Sequence, residues 1–153
     1  MTVLAAFKVF LYRYTGQKDM AVGSPIAGRN RAETEQLIGL FINSLVLRTE
    51  LSGDLSFREL LARIREACLD AFAHQELPVE KLVQELQPDR DTGHTPLFQI
   101  MFAHQNTPLP TLNLAGLAPG QPLGPDKIHN GTSKVDAALF VEETNDGLIA
   151  SFE

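Results

Sequence analysis

The residue types most suited to proton transfer and nucleophilic attack are few in this chain and do not form a recognisable catalytic arrangement. It has four histidines and one cysteine among 153 residues. Neither His94 nor His104 has a serine or cysteine nucleophile at a familiar spacing, so a solvated or locally bonded histidine is expected at both. Cys68 falls on the apolar side of a predicted helix, where a buried structural role is expected. No catalytic residue is therefore assigned.

Metal and redox chemistry are not predicted either. A single cysteine cannot form an internal disulfide, and no Cys/His spacing is typical of zinc sites. The net charge of −6 disfavours a nucleic-acid binder. The chain lacks an apolar run long enough to span a membrane and a recognisable signal peptide. We expect one soluble, cytoplasmic α/β domain without contact to nucleic acid or membrane.

Several helices are predicted from local signals. The segment 3–11 is apolar on nearly every side, interrupted only by Lys8, so its helix should be buried on most faces. Ser56 and Glu59 have the spacing of a capping box, which predicts a helix from Phe57. Pro78 suits the first turn of another helix, and Pro88 ends it.

The strands are predicted from apolar runs and alternation. These predicted strands are Met20–Ile26, Leu37–Leu47 and a strand from Phe98, followed by a hairpin of Leu139–Glu143 and Leu148–Phe152 around Asp146–Gly147. Residues 27–36 are polar and predict a loop or a helical turn. The Pro- and Gly-rich connection 105–133 is unusually long for one domain, and such connections are commonly functional or cross to a neighbour. Both ends of the chain are expected to be cut from a larger protein.

Three stretches carry a family resemblance: residues 38–44 with Arg48, residues 74–80, and residues 90–98. In order and spacing they resemble three core motifs of the condensation domains of nonribosomal peptide synthetases. Residues 24–31 and 133–136 are similar to that family as well, so the resemblance covers essentially the whole chain. The family's His-His-x-x-x-Asp-Gly signature is absent from this sequence. The resemblance is therefore to the C-terminal subdomain only.

The resemblance implies a two-layer α/β sandwich similar to chloramphenicol acetyltransferase, forming one side of a V-shaped pair with a tunnel between. The implied partners are the upstream half of the same domain and the donor and acceptor peptidyl carrier proteins. Their phosphopantetheine arms would enter the tunnel, where an amine attacks a thioester and forms an amide bond. No cofactor is expected to bind this chain directly, and the fragment is expected to be inactive alone.

The resemblance also suggests roles for individual residues. Asn43 occupies a position that faces the substrate channel in the family, although a structural hydrogen bond to backbone remains an alternative. Arg48 is expected to form a surface or interface ion pair rather than to contact substrate. The remaining motif residues are given structural roles, in which His74, Gln75 and Pro78 shape the bend between two helices and Arg90, Asp91 and Pro96 brace the approach to the strand at Phe98.

Two other function classes stay open. A stand-alone module could dock carrier proteins without chemistry, which native termini at Met1 and Glu153 would favour. A complete small acyltransferase of the chloramphenicol acetyltransferase type would need its own catalytic histidine and a trimer interface, and the sequence indicates neither.

Overall fold

The computed structural model describes residues 1–88, 95–105, 132–144 and 147–153. Most of the predicted 105–133 connection lies outside these residues, as do Arg90, Asp91 and the two hairpin residues Asn145 and Asp146. Within the described part, no helix is both long and apolar enough to cross a membrane.

Helices and strands follow one another in the predicted order, with one additional short helix. The helices are α1 (Thr2–Thr15), α2 (Ala32–Glu35), α3 (Phe57–Ala73) and α4 (Val79–Leu86). The strands are β1 (Asp19–Ile26), β2 (Asn43–Glu50), β3 (Ile100–Gln105), β4 (Ala137–Thr144) and β5 (Gly147–Phe152).

The five strands form one mixed sheet in the order β2-β1-β3-β4-β5. The pairs β1–β3 and β3–β4 are parallel, whereas β2 and β5 are antiparallel to their neighbours. Apolar residues of α1 and α3 join inward-facing strand residues such as Val22, Leu47 and Phe102 in one core cluster. Both helices thus cover the same face of the sheet, which confirms a two-layer α/β arrangement.

Lys8 is the most deeply buried charged side chain in the described part of the chain, with no exposed surface. Its Nζ donates to the carbonyl oxygen of Leu47 at 2.6 Å and to the Thr49 hydroxyl at 2.8 Å, with the Met20 carbonyl oxygen at 3.5 Å. The contacts tie α1 to β1 and β2. The opposite side of α1 is open, since Phe10 and Tyr14 stack there in solvent. The expectation of burial on most faces was therefore wrong for this side.

The capping box is confirmed at the start of α3. The Glu59 backbone N–H donates to the Ser56 hydroxyl, and the Ser56 backbone N–H donates to the Glu59 carboxylate at 2.8 Å. These hydrogen bonds lower the pKa of Glu59. From this start, α3 places Leu60, Ile64 and Cys68 in the core.

The predicted strand Leu37–Leu47 was wrong in its first half. The strand begins only at Asn43 and continues to Glu50. The preceding apolar side chains of Leu37, Ile38, Leu40 and Ile42 are exposed rather than buried. Carbonyl groups in this part of the chain bond to the guanidinium group of Arg29, not to a neighbouring strand.

The third sheet strand also begins later than predicted, at Ile100. Phe98 is buried instead as a plug over β1, where a Cβ atom at Gly23 would overlap the Phe98 ring. Leu97 just before it has a positive φ of 75°, which marks a sharp change of chain direction. The hairpin pairing of β4 with β5 is confirmed, from Leu139 opposite Phe152 to Thr144 opposite Gly147.

Candidate functional site

The side chain of Asn43 connects β2 to the bend between α3 and α4. Its Nδ2 donates to the carbonyl oxygens of Gln75 at 3.0 Å and Leu77 at 2.8 Å. Its Oδ1 accepts from the backbone N–H groups of Ser44 at 2.9 Å and Val79 at 3.1 Å. An amide has two donor hydrogens and two acceptor lone pairs, so every hydrogen-bonding position of this side chain is in use.

The bend itself is built by consecutive backbone hydrogen bonds. At the end of α3, the His74 N–H donates to Asp70 and Ala71, and the His74 carbonyl oxygen accepts from Leu77 at 3.0 Å. Pro78 precedes α4 with an extended backbone and cannot cap the helix with its side chain. The first helical N–H, that of Val79, is satisfied by Asn43 instead. The helix cap thus comes from a strand 36 residues earlier in the chain, not from a side chain of the bend.

A loop of residues 27–42, called here the Arg29 loop, lies between β1 and Asn43. The Arg29 guanidinium donates to several carbonyl oxygens of the loop, including those of Leu37 at 2.8 Å and Gly39 at 3.2 Å, and lies 4.4 Å from the Phe41 ring centroid. A salt bridge between Arg31 and Glu76, 3.6 Å long and largely exposed, joins this loop to the bend. Arg29 was not among the predicted site residues, although it lies in the family-like stretch 24–31.

Four exposed apolar side chains project from the Arg29 loop and form what we call the apolar ridge: Leu37, Ile38, Leu40 and Ile42. Ile38 and Leu40 are the extreme cases, with relative exposures of 104% and 86%. The ridge runs directly into Asn43. Contiguous exposed apolar surface of this kind marks a contact site for another molecule or chain segment.

Arg48 and Pro96 lie outside this cluster. Near the other end of β2, Arg48 forms a forked ion pair with Asp19 on β1, with an Nη2–Oδ2 distance of 2.6 Å. Hydrogen bonding to Arg48 lowers the pKa of Asp19. Pro96 is exposed in the turn before Phe98. The structure thus brings together Asn43, Gln75, Pro78 and the backbone of His74, but not all the motif residues.

The described residues do not assemble a nucleophile, a base or a metal site. His74 and His104 are both exposed, and burial raises the pKa of the Cys68 thiol. No group of three potential metal ligands occurs among the residues described. A cleft of about 360 Å³ opens elsewhere, between the end of α1 and the starts of β1 and β3, and includes Asp19, Gln99 and Asp136.

Comparison with known proteins gives a consistent family assignment. The family model described as "Condensation domain" matches residues 1–145. The chain is 57% identical over 153 residues to one of the linear gramicidin synthase proteins of Brevibacillus parabrevis, covering all of this chain and 3% of that protein. It is 38% identical to surfactin synthase subunit 1 of Bacillus subtilis over 148 residues, covering 97% of this chain and 4% of that protein.

Solved structures agree on the fold. A four-domain nonribosomal peptide synthetase superposes with a TM-score of 0.81 at 20% identity, over 99% of this chain and 12% of that chain. The first condensation domain of the calcium-dependent antibiotic synthetase gives 0.72 at 23% identity, over 99% of this chain and 32% of that chain. The chain therefore spans about a third of that solved domain, and its two-layer architecture is the fold predicted from the sequence.

Proposed function

The chain belongs to the condensation-domain family, and we propose that it is the C-terminal subdomain of a domain that forms peptide bonds in a nonribosomal peptide synthetase. Its substrates would be aminoacyl or peptidyl thioesters held on the phosphopantetheine arms of donor and acceptor carrier proteins. The reaction would take place in the cytoplasm. The upstream half of the same domain would be its structural partner.

Bringing two long tethered arms end to end is the main physical demand of this reaction. When the amine attacks the thioester carbonyl, a C–N bond forms, the thiolate leaves, and a proton must be taken from the amine. Positioning the reacting ends can supply several kcal/mol of the barrier reduction, about 7–11 kcal/mol for well-oriented intramolecular reactions. A polar group must handle the proton and the oxyanion. That group would belong to the upstream half, and this chain would supply a wall.

The observation that carries the proposal is the hydrogen-bonded junction at Asn43. It joins two of the three family-like stretches, because Asn43 from one bonds to Gln75, Leu77 and Val79 in the other. Since all four positions of the amide are used by backbone, we infer that Asn43 acts on the channel by fixing the shape of its wall. Direct hydrogen bonding to substrate would require one of these bonds to break.

The experiment compares the 153-residue chain alone with the same chain mixed with an upstream half that contains His-His-x-x-x-Asp-Gly. That half can be taken from the sequence directly preceding the matched region of the linear gramicidin synthase protein. Carrier proteins loaded with donor and acceptor aminoacyl groups are added, and the dipeptidyl thioester is measured by mass spectrometry. The chain alone should give no product, and the mixture should give product.

Turnover by the chain alone would overturn the proposal, because it would place the missing chemistry within these residues. A mixture whose halves associate and bind carriers but form no product would also overturn it and would favour a docking module. The control is the mixture with the first histidine of the upstream signature changed to alanine, which keeps the assembly and removes the proposed base.

A further inference from the structure

We propose that Arg29 is a positioning residue for the condensation reaction: it holds the Arg29 loop in the conformation that presents the apolar ridge next to Asn43. The inference rests on the proposed function and adds to it the residue that sets this part of the wall. Arg29 is half-buried, whereas its neighbours Asn30 and Arg31 are exposed.

The edge of the guanidinium group replaces the hydrogen-bonding partner that a strand would provide. Nη1 donates to the carbonyl oxygens of Thr34, Leu37 at 2.8 Å and, at 3.4 Å, Glu35. Nη2 donates to the carbonyl oxygen of Gly39 at 3.2 Å. One side chain therefore fixes the backbone over the six residues 34–39, which contain the first half of the apolar ridge.

The face of the same group closes the loop at its other end. Its central carbon lies 4.4 Å from the centroid of the Phe41 ring, within the range of a cation–π contact. Next to Arg29, Gly28 has a φ of 64°, and a Cβ atom there would overlap the carbonyl oxygen of Phe41. Residues 28 and 29 therefore hold Phe41 through both its backbone and its ring, just before the last ridge residue, Ile42.

A fixed loop matters because the ridge cannot hold itself in place. Ile38 and Leu40 have almost no contact with the core, as their exposures of 104% and 86% show. A loose loop would have to be ordered each time the channel fills, and ordering costs free energy at every binding event. With Arg29 in place the apolar surface is organised in advance, up to the first residue of β2.

Lysine cannot replace arginine in this role. A guanidinium group is planar, with five donor hydrogens at its edge and a face that stacks on aromatic rings, whereas an ammonium group is a compact point charge with three donors. Bonding four carbonyl groups and one ring at once requires the planar group. Removing charge is therefore not the only way to disrupt the loop, and Arg29→Lys tests geometry separately from charge.

The test uses the mixture of chain and upstream half described above and measures single-turnover peptide formation at varied acceptor-carrier concentration. The variants are Arg29→Lys, Arg29→Gln and Phe41→Leu, with Arg31→Gln as the matched control two positions away. Amide hydrogen exchange over residues 34–41 reports on the loop, and thermal unfolding reports on the fold.

Arg29→Lys and Arg29→Gln should lower the maximal rate by about tenfold to a hundredfold, the scale expected when reacting groups are misplaced by about 1 Å. The half-saturating carrier concentration should be unchanged, and exchange over 34–41 should accelerate. Phe41→Leu, which keeps the carbonyl contacts, should give a smaller loss. Arg31→Gln should stay within about twofold of the parent, because it removes only an exposed ion pair.

Faster exchange in the Arg29 variants with an unchanged rate would overturn the proposal and leave Arg29 a purely structural residue. Full activity of Arg29→Lys would overturn it too. A rise in half-saturating carrier concentration at unchanged maximal rate would assign Arg29 to carrier binding instead. An inactive parent mixture would reject the proposed function and this inference together, whereas an active parent with unaffected variants would reject this inference alone.

Discussion

Asn43 connects three backbone segments through one uncharged side chain, so a change of two atoms tests its role. The substitution Asn43→Asp keeps the size of the side chain but replaces both amide hydrogens by an oxygen facing the carbonyl groups of Gln75 and Leu77. The free energy of unfolding should fall by about 2–4 kcal/mol, since two hydrogen bonds are lost and like dipoles meet. Urea denaturation of the chain measures this difference.

Asn30→Asp is the matched control, because Asn30 is exposed and the change in net charge is the same. It should alter the free energy of unfolding by no more than about 0.5 kcal/mol. Equal effects of the two substitutions would show that the added charge, rather than the lost junction, is responsible.

Lys8 predicts how stability depends on pH. Burial lowers its pKa from 10.5 to about 8, a shift that the nearby Cys68 and Asp19 partly oppose. Between these values the unfolded chain binds a proton that the folded protein has released, so the free energy of unfolding should rise with pH. The shift corresponds to at most about 3 kcal/mol. A neutral amine still fits the site, since it can donate to the Leu47 and Met20 carbonyl groups and accept from the Thr49 hydroxyl.

The measurement is urea denaturation of the chain and of Lys8→Met between about pH 7.5 and pH 10. The difference between the two proteins should grow in favour of the parent as pH rises. Cys68 acts in the opposite direction, because burial raises its pKa, but the thiol is present in both proteins. Parallel curves would mean that Lys8 keeps its ordinary pKa in the fold.

Between elements, the contact of the Phe98 ring with Gly23 fixes the segment before β3 against β1. Gly23→Ala should destabilise the fold by about 1–3 kcal/mol, because a methyl group would occupy space filled by the ring. Phe98→Leu should be destabilising on its own, but the double variant should recover part of the loss. Chemical denaturation of the four proteins gives the coupling energy, which should exceed about 0.5 kcal/mol. Additive effects would mean that the ring moves away without cost.

The elements that the sequence predicted well are those whose signals lie within a few residues of one another. The Ser56–Glu59 capping box placed the start of α3 correctly, and the Asp146–Gly147 pair predicted the hairpin. The start of β2 could not be predicted in this way. An apolar run from Leu37 to Leu47 contains no local mark at Asn43, whose partners are 32–36 residues away in the chain.

The candidate site shows the same division. Family resemblance identified the stretches around Asn43 and His74, but not that a strand residue caps α4. It did not identify Arg29 as the centre of a loop either. A sequence signal was available, since Gly28 and Arg29 stand together where a polar segment meets an apolar run. Which carbonyl groups an arginine reaches depends on the path of the chain, which composition does not encode.

For the whole molecule, β5 is the feature that should govern behaviour in solution. It forms an edge of the sheet, and its side chains Leu148, Ile149 and Phe152 are each more than half exposed. Exposed apolar edge strands pair with further strands. The chain alone should therefore self-associate as its concentration rises, and more strongly at high salt, where the repulsion of a net charge of −6 is screened.

Ile149→Lys should reduce this association, since charged side chains protect sheet edges. Ile149 lies opposite Glu142 on β4, so the lysine gains a cross-strand partner and the hairpin should keep its stability. Leu69→Lys adds the same charge on α3, away from the edge, at a side chain of similar exposure. Sedimentation velocity of the three proteins over a range of concentrations measures the effect. If Leu69→Lys reduces association as much as Ile149→Lys does, net charge rather than the edge of β5 controls it, because only the charge is common to both changes.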